Sequence, residues 1–269
     1  MSSASEHNRK AWDKLVRDEQ RFTRPAPDSD FQDPLAAVDG CGWLGPSIAG
    51  RRVLCLASGG GRQSALYAAA GGIVTVVDVS SEMLALDRQV AAERGLDVRT
   101  VQASMDDLSA LASAAFDIVI QPVSTCYVPD IAAVYREVAR VIATGGLYIS
   151  QHKQPASLQA GTQPSQHGYE LVEPYYRTGP LPAVHGSAHR EPGTLEFLHR
   201  WEQIVGELCR AGFVIEDLIE PLHADLAAEP GSFAHRSRWV AAYVRIKARR
   251  VGSIGDPTTS ASLPKIWTP

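Results

Sequence analysis

The sequence predicts an α/β fold: a doubly wound, mostly parallel sheet of seven strands whose last strand runs antiparallel. Three observations carry this. Short apolar runs alternate with helix-length segments between residues 53 and 150. The run Val53-Leu54-Cys55-Leu56 leads into a glycine turn, Gly59–Gly61, and then into Arg62–Ala70, a segment of high helix propensity. Two late strand-like runs, 213–219 and 239–246, have no clearly periodic helix between them, so they read as an antiparallel pair at one edge.

Taken in order, residues 7–24 place Trp12, Leu15, Val16 and Phe22 at helical spacing. Pro25, Pro27 and Pro34 then read as a structured loop rather than a helix. Trp12, Phe22 and Trp43 either pack the N-terminal segment or close over a ligand; the sequence leaves both open. Strand one and the glycine turn open a nucleotide-binding α/β unit, because glycines let the backbone pass under a ligand and a helix N-terminus offers unpaired N–H groups. Strand two, Ile73–Asp78, ends in an acid placed to take both hydroxyls of a ribose or to cap the next helix. That helix is predicted over Ser81–Arg94, with Ser80 or Ser81 as N-cap and Gly95 past its end. Strand three covers Val98–Gln102 and strand four Phe116–Ile120. A helix over 131–143, apolar at 131, 134, 138, 141 and 142, ends at Gly145-Gly146 before strand five, 147–150.

The rhythm then breaks. Residues 152–197 carry many prolines, three tyrosines and four of the eight histidines, and a loop of that length is functional or builds its own small substructure. Alternation resumes with a helix over 197–210 and the late strand pair.

Composition narrows the function. A formal charge of −4 and an ordinary charged fraction give no sign of a nucleic-acid partner. No apolar run reaches membrane-spanning length, and the opening MSSASEHNRKAWDK has no signal-peptide core, so a cytoplasmic protein is expected. Cys41, Cys55, Cys126 and Cys209 form no C-x-x-C pair and read as free thiols. His185 and His189 stand four apart without a third ligand in register, so no metal is expected.

VLCLASGGG, the acid at 78 and REVARVIATGGLYIS (136–150) resemble the class I S-adenosylmethionine-dependent methyltransferases, with the small-molecule methylases echoed in WEQIVGELCRAGFVIEDLIEP (201–221). The resemblance implies the Rossmann-like methyltransferase fold and S-adenosyl-L-methionine as cofactor, with S-adenosyl-L-homocysteine as product. It implies a cofactor site at Ala57, Ser58, Gly59, Gly61, Asp78, Val79, Met83, Ser104, Met105, Asp106, Gln121 and Pro122. The chain departs from the family's first motif twice: Cys55 stands where an acid is common, and Ala57 replaces the first glycine. Ser104 falls where many members carry Asp. On this reading residues 1–50 form an N-terminal helical lid, 51–151 the cofactor-binding core, 152–197 a substrate-cap insertion, 198–250 the completion of the sheet, and 251–269 a tail.

Methyl transfer from a sulfonium is an in-line displacement, so alignment in a dry pocket is the main demand on the protein. Tyr127, after strand four, offers a ring to a sulfonium and a hydroxyl to a substrate, or simply packs its loop. His152, after strand five, is a candidate base or substrate contact, or a satisfied core histidine; His189, Arg190 and His199 are weaker candidates of the same kind. The expected partner is a small metabolite, methylated at oxygen, nitrogen or carbon, and the expected assembly a monomer or homodimer. The alternatives are an NAD(P)-dependent oxidoreductase and a non-catalytic, methylase-like binding module.

Overall fold

The computed structural model of the chain describes residues 2–20, 23–183 and 189–252. Strands β1 (Arg52–Leu56), β2 (Ile73–Asp78), β3 (Val98–Gln102), β4 (Phe116–Gln121), β5 (Ile142–Lys153), β6 (Phe213–Ile219) and β7 (Tyr243–Arg250) form one sheet in the order β3-β2-β1-β4-β5-β7-β6. β1, β2, β3, β4 and β5 run parallel, and β7 runs antiparallel to both β5 and β6. The helices are α1 (Ser3–Arg17), α2 (Pro34–Val38), α3 (Gln63–Ala69), α4 (Ser81–Glu93), α5 (Ile131–Val141), α6 (Pro155–Gln159), α7 (Glu207–Arg210) and α8 (Phe233–Arg236).

Strand β1 shows why the sheet is buried on both faces. Val53 and Cys55 join Tyr67, Val74, Val76 and Leu84 on one side. Leu54 and Leu56 point the other way, into the larger cluster with Val134, Tyr135 and Val138 of α5. Period-two side chains on a strand covered by helices from both sides must be apolar at every position. Helix α5 meets that cluster with Ile131, Val134, Tyr135, Val138 and Val141, all within 1% exposure, and Asp130 caps it by accepting from the Ala132 amide at 2.9 Å.

Several sequence-derived boundaries shift. The N-terminal helix starts at Ser3, capped by Ser2, and stops at Arg17; Glu19 then turns the chain at φ 50°. Pro34 begins a short helix, capped by Asp33, where a loop is predicted. Strand β5 starts directly after α5, and Gly145-Gly146 lie inside an irregularity of the β4–β5 pairing rather than at a helix end. The predicted helix over 197–210 begins only at Trp201, runs through a π-helical turn, Glu202–Gly206, and continues as α7. Phe197 instead donates its amide to the Cys126 carbonyl at 2.7 Å, tying residues before that helix to the loop after β4. The last strand lies four residues later than predicted, at Tyr243–Arg250.

Tyr135 on α5 donates its hydroxyl to the Ile204 carbonyl in the π-helical turn at 3.0 Å. Replacing it by Phe keeps the ring and removes that buried bond, so Tyr135→Phe is expected to lower unfolding free energy by about 1 kcal/mol in urea melts.

Candidate active site

The turn between β1 and α3 is built on two buried carboxylates. Gly59 donates its amide to Asp78 Oδ2 at 2.9 Å, and the Ser80 amide reaches Asp78 Oδ1 at 2.9 Å. The amides of Gly60 and Gly61 each reach the carboxylate of Asp87 at 3.0 Å, and the Ser64 hydroxyl donates to it as well. Burial pushes the pKa of Asp78 upward and that of Asp87 up to about 6. Ser80, not Asp78, caps α4, accepting from the Met83 amide at 3.1 Å. Each oxygen of Asp78 accepts one amide and keeps a lone pair, which suits it to a pair of vicinal hydroxyls.

Space at the turn is equally constrained. A side chain at Gly59 would put its Cβ 2.6 Å from Met83 Cβ and 3.0 Å from Asp78 Oδ2. Ala57 sits in the left-handed region at φ 48°, at a strain of about 1 kcal/mol for a residue with a Cβ. Ser58, next to it, donates its hydroxyl to Gln63 Oε1 at 2.9 Å.

The remaining predicted residues cluster at the carboxyl ends of β2, β3 and β4. The Val79 carbonyl accepts from Gln102 at 3.0 Å. Met105 and Gln121 touch, with Gln121 Nε2 donating to the Met105 sulfur at 3.3 Å and to Ser124 Oγ at 3.0 Å. Gln121 Oε1 accepts from Tyr148 at 2.6 Å, so its amide is fixed at both ends. The Pro122 carbonyl takes the Ser124 hydroxyl at 3.0 Å, and Asp106 is half-buried in the turn after β3.

Helix α1 lies across this edge. Ser5 shares a hydroxyl contact of 3.0 Å with Ser104. Asn8 donates to the carbonyls of Tyr127 and Leu195 at 2.9 and 3.0 Å and accepts the Leu195 amide at 2.7 Å. Asp13 accepts from Ser80 Oγ at 2.6 Å. Trp12 meets the Tyr127 ring edge-on at 5.7 Å. Of the other two predicted aromatics, Trp43 donates to Asp217 on β6 at 3.0 Å instead, and Phe22 lies outside the described residues.

The candidate catalytic pair sits deeper. The Tyr127 hydroxyl donates to Glu191 at 2.6 Å, and burial raises its pKa well above the ordinary phenol value. Burial opposes the charge on Lys153, yet Glu191 and Glu196, accepting at 2.8 and 2.7 Å, help raise its pKa. Arg190 closes the group on Glu196 at 2.6 Å. His152 is held between Thr125 at Nδ1 and Ser150 at Nε2, both at 2.8 Å, and burial lowers its pKa to about 3. His199 Nε2 contacts the carbonyls of Thr125 and Val128 at 3.0 Å. His189 lines a nearby cavity, and His185 lies outside the described residues.

Sequence reasoning missed two groups here. Asp87 shares the buried face of α4 with Leu84 and Val90, three residues to either side, and an acid on an apolar stripe is the signal that was available. Arg236, 2% exposed on α8, had no such signal, because it lies in the stretch between the two late strands that shows no clear period. Among the described residues, no group of three or more His, Cys, Asp or Glu is arranged to hold a metal ion, and no helix is long and apolar enough to cross a membrane.

The raised pKa of Asp87 has a defined effect on stability. Between its unfolded value near 4 and about 6, the folded chain keeps a proton that the unfolded chain releases. Stability is therefore expected to fall by up to about 3 kcal/mol as pH rises through that window, and to level off above it. Urea melts at pH 4.5 and 6.5 check this, because Asp87→Asn removes that part of the slope.

The methyltransferase domain family matches residues 54–150. An uncharacterised methyltransferase of Bacillus subtilis, YbaJ, is 36% identical over 235 residues, covering 82% of this chain and 91% of that one. The ubiquinone biosynthesis O-methyltransferase of Bordetella pertussis is 33% identical over 125 residues, 45% of this chain and 52% of its own length. Among solved structures, a Mesorhizobium loti S-adenosylmethionine-dependent methyltransferase aligns with TM-score 0.63 at 23% identity, over 76% of this chain and 93% of that one. The geranyl diphosphate C-methyltransferase of Streptomyces coelicolor, solved with S-adenosyl-L-homocysteine, aligns with TM-score 0.61 at 18% identity, over 93% and 99%. These last two share the fold. With the relative from Bacillus subtilis matched over most of both chains, the oxidoreductase and non-catalytic alternatives fall away, and the chain belongs to the S-adenosylmethionine-dependent methyltransferases.

Proposed function

We propose that this methyltransferase acts on a small molecule bearing an anionic group, held in the cavity beneath residues 152–197. The observation that carries the reading is Arg236. It lines a cavity of about 190 Å³ together with Lys153, His189, Arg190, Phe233 and Tyr243. Its guanidinium donates to the carbonyls of Gly161, Ser157 and Ala160 and to the Ser157 hydroxyl, at 2.5–3.0 Å. Those bonds use four of its five N–H groups. Lys153 and Arg190 are paired with glutamates, whereas Arg236 makes no ion pair among the described residues. A buried cation without a counter-charge costs several kcal/mol, and an anionic substrate in the cavity offsets that cost.

The cofactor, when bound, supplies a methyl group activated on a sulfonium. Asp78 is proposed to take the ribose hydroxyls on its free lone pairs, with the backbone of Ala57, Ser58, Gly59 and Gly61 passing beneath. Val79, Met83, Ser104, Met105 and Asp106 would hold the adenine. Gln121 and Pro122 border the reacting end. Tyr127, whose hydroxyl is committed to Glu191 and whose ring has the Lys153 ammonium over it at 5.9 Å, would border the reacting end with its remaining ring surface. His152 has both nitrogens bonded to hydroxyls and stays neutral down to about pH 3, so it is proposed to hold Thr125 and the loop after β4 in place rather than to accept a proton. The relatives' names span methylation at oxygen and at carbon, so the atom methylated stays open.

The test uses labelled S-adenosyl-L-methionine and small-molecule fractions of a cell extract divided by anion exchange. Label is expected in the retained, anionic fraction. Arg236→Met is expected to slow that transfer by about tenfold or more, with cofactor affinity unchanged. Label confined to the unretained fraction would refute the anionic reading.

A further inference from the structure

Strand β1 carries Cys55 where this family commonly has an acid, and yet the Gly60 and Gly61 amides of the turn above it end on a carboxylate. The thiol of Cys55 is buried on the β1 face that receives Leu84 of α4, and the charge of Asp87 acts on it. Asp87 follows Leu84 by three residues on the same buried face of α4. Its two oxygens take the Gly60 and Gly61 amides and the Ser64 hydroxyl. These three donors belong to the second half of the turn and the first turn of α3, whereas Asp78 holds Gly59 and Ser80.

We infer that Asp87 is a positioning residue for the cofactor: its carboxylate, supplied by α4, does the work of the acid that is absent from β1. Without it, Gly60 would keep only the Met83 carbonyl at 3.1 Å and the Gly61 amide would lose its charged acceptor, loosening the backbone that the turn presents to a ligand. The carboxylate stands on the helix instead of the strand, on the face of α4 whose Leu84 packs in the same cluster as the small, uncharged Cys55.

The inference rests on the proposed grip of this turn on the cofactor, and a second-site experiment separates the two. S-adenosyl-L-homocysteine is titrated by calorimetry into wild type, Asp87→Ala, Asp87→Asn and the double variant Cys55→Asp with Asp87→Ala, each well below its melting temperature. Asp87→Ala is expected to bind about tenfold or more weaker, and the double variant to recover to within about threefold of wild type. Asp87→Asn keeps the side-chain volume if the alanine variant fails to fold, and it too is expected to bind weaker. Variants that melt earlier but bind as tightly as wild type assign Asp87 to stability alone and overturn the inference. Recovery of melting temperature without recovery of binding in the double variant overturns it as well. A wild-type chain that takes up no S-adenosyl-L-homocysteine undoes the cofactor grip itself, and the inference with it.

Discussion

Three consecutive amides, those of Gly59, Gly60 and Gly61, end on two buried carboxylates, and the geometry of the ligand edge follows from that arrangement. A buried N–H without an acceptor costs about as much as a lost hydrogen bond, so a tight turn at the top of a buried strand needs acceptors from its neighbours, here two carboxylates beside the carbonyls of Val77 and Met83. Asp78 comes from the end of β2 and Asp87 from α4, so the turn is locked to both of its neighbours at once. The cost is electrostatic. Burial pushes both acids toward the neutral form, and the charge on Asp78 adds to the rise at Asp87.

The same edge is closed from above by segments distant in sequence. Asn8 bonds α1 to the Tyr127 carbonyl and to both backbone groups of Leu195, joining the N-terminus, the loop after β4 and the end of the 152–197 stretch. Tyr127 and Lys153 meet on Glu191, so the candidate catalytic loop and the insertion share a buried, charge-assisted network. Groups inside such a network exchange hydrogen bonds with one another and are poorly placed to carry protons away. Tyr127 lies inside that network through Glu191, whereas His152 is held apart from it, between the hydroxyls of Thr125 and Ser150.

Much of the sheet was legible because its signals are local. Val53 to Leu56 are apolar at every position, as a doubly covered parallel strand requires, and α5 repeats its apolar residues at helical spacing. Strand β7 was misplaced by four residues for an equally physical reason. Trp239–Ala242 is as apolar as Tyr243–Ile246, and what selects the later run is its pairing with β5, Lys153 against Tyr243 and Gln151 against Arg245. The first four residues of the predicted helix over 197–210 are not helical; there the Phe197 amide bonds the Cys126 carbonyl, a partner distant in the chain that local spacing does not encode.

The succession of strands and helices along the chain, the glycine turn and the acid at 78 were determined by the sequence alone, since each rests on residues close together in the chain and on period-two or period-3.6 patterning. The partner of Gly60 and Gly61, the burial that lowers the pKa of His152 and the lack of an ion pair at Arg236 among the described residues were decided only by tertiary structure. Each depends on burial and on donors or acceptors dozens of residues away, and no local spacing encodes what water is excluded from.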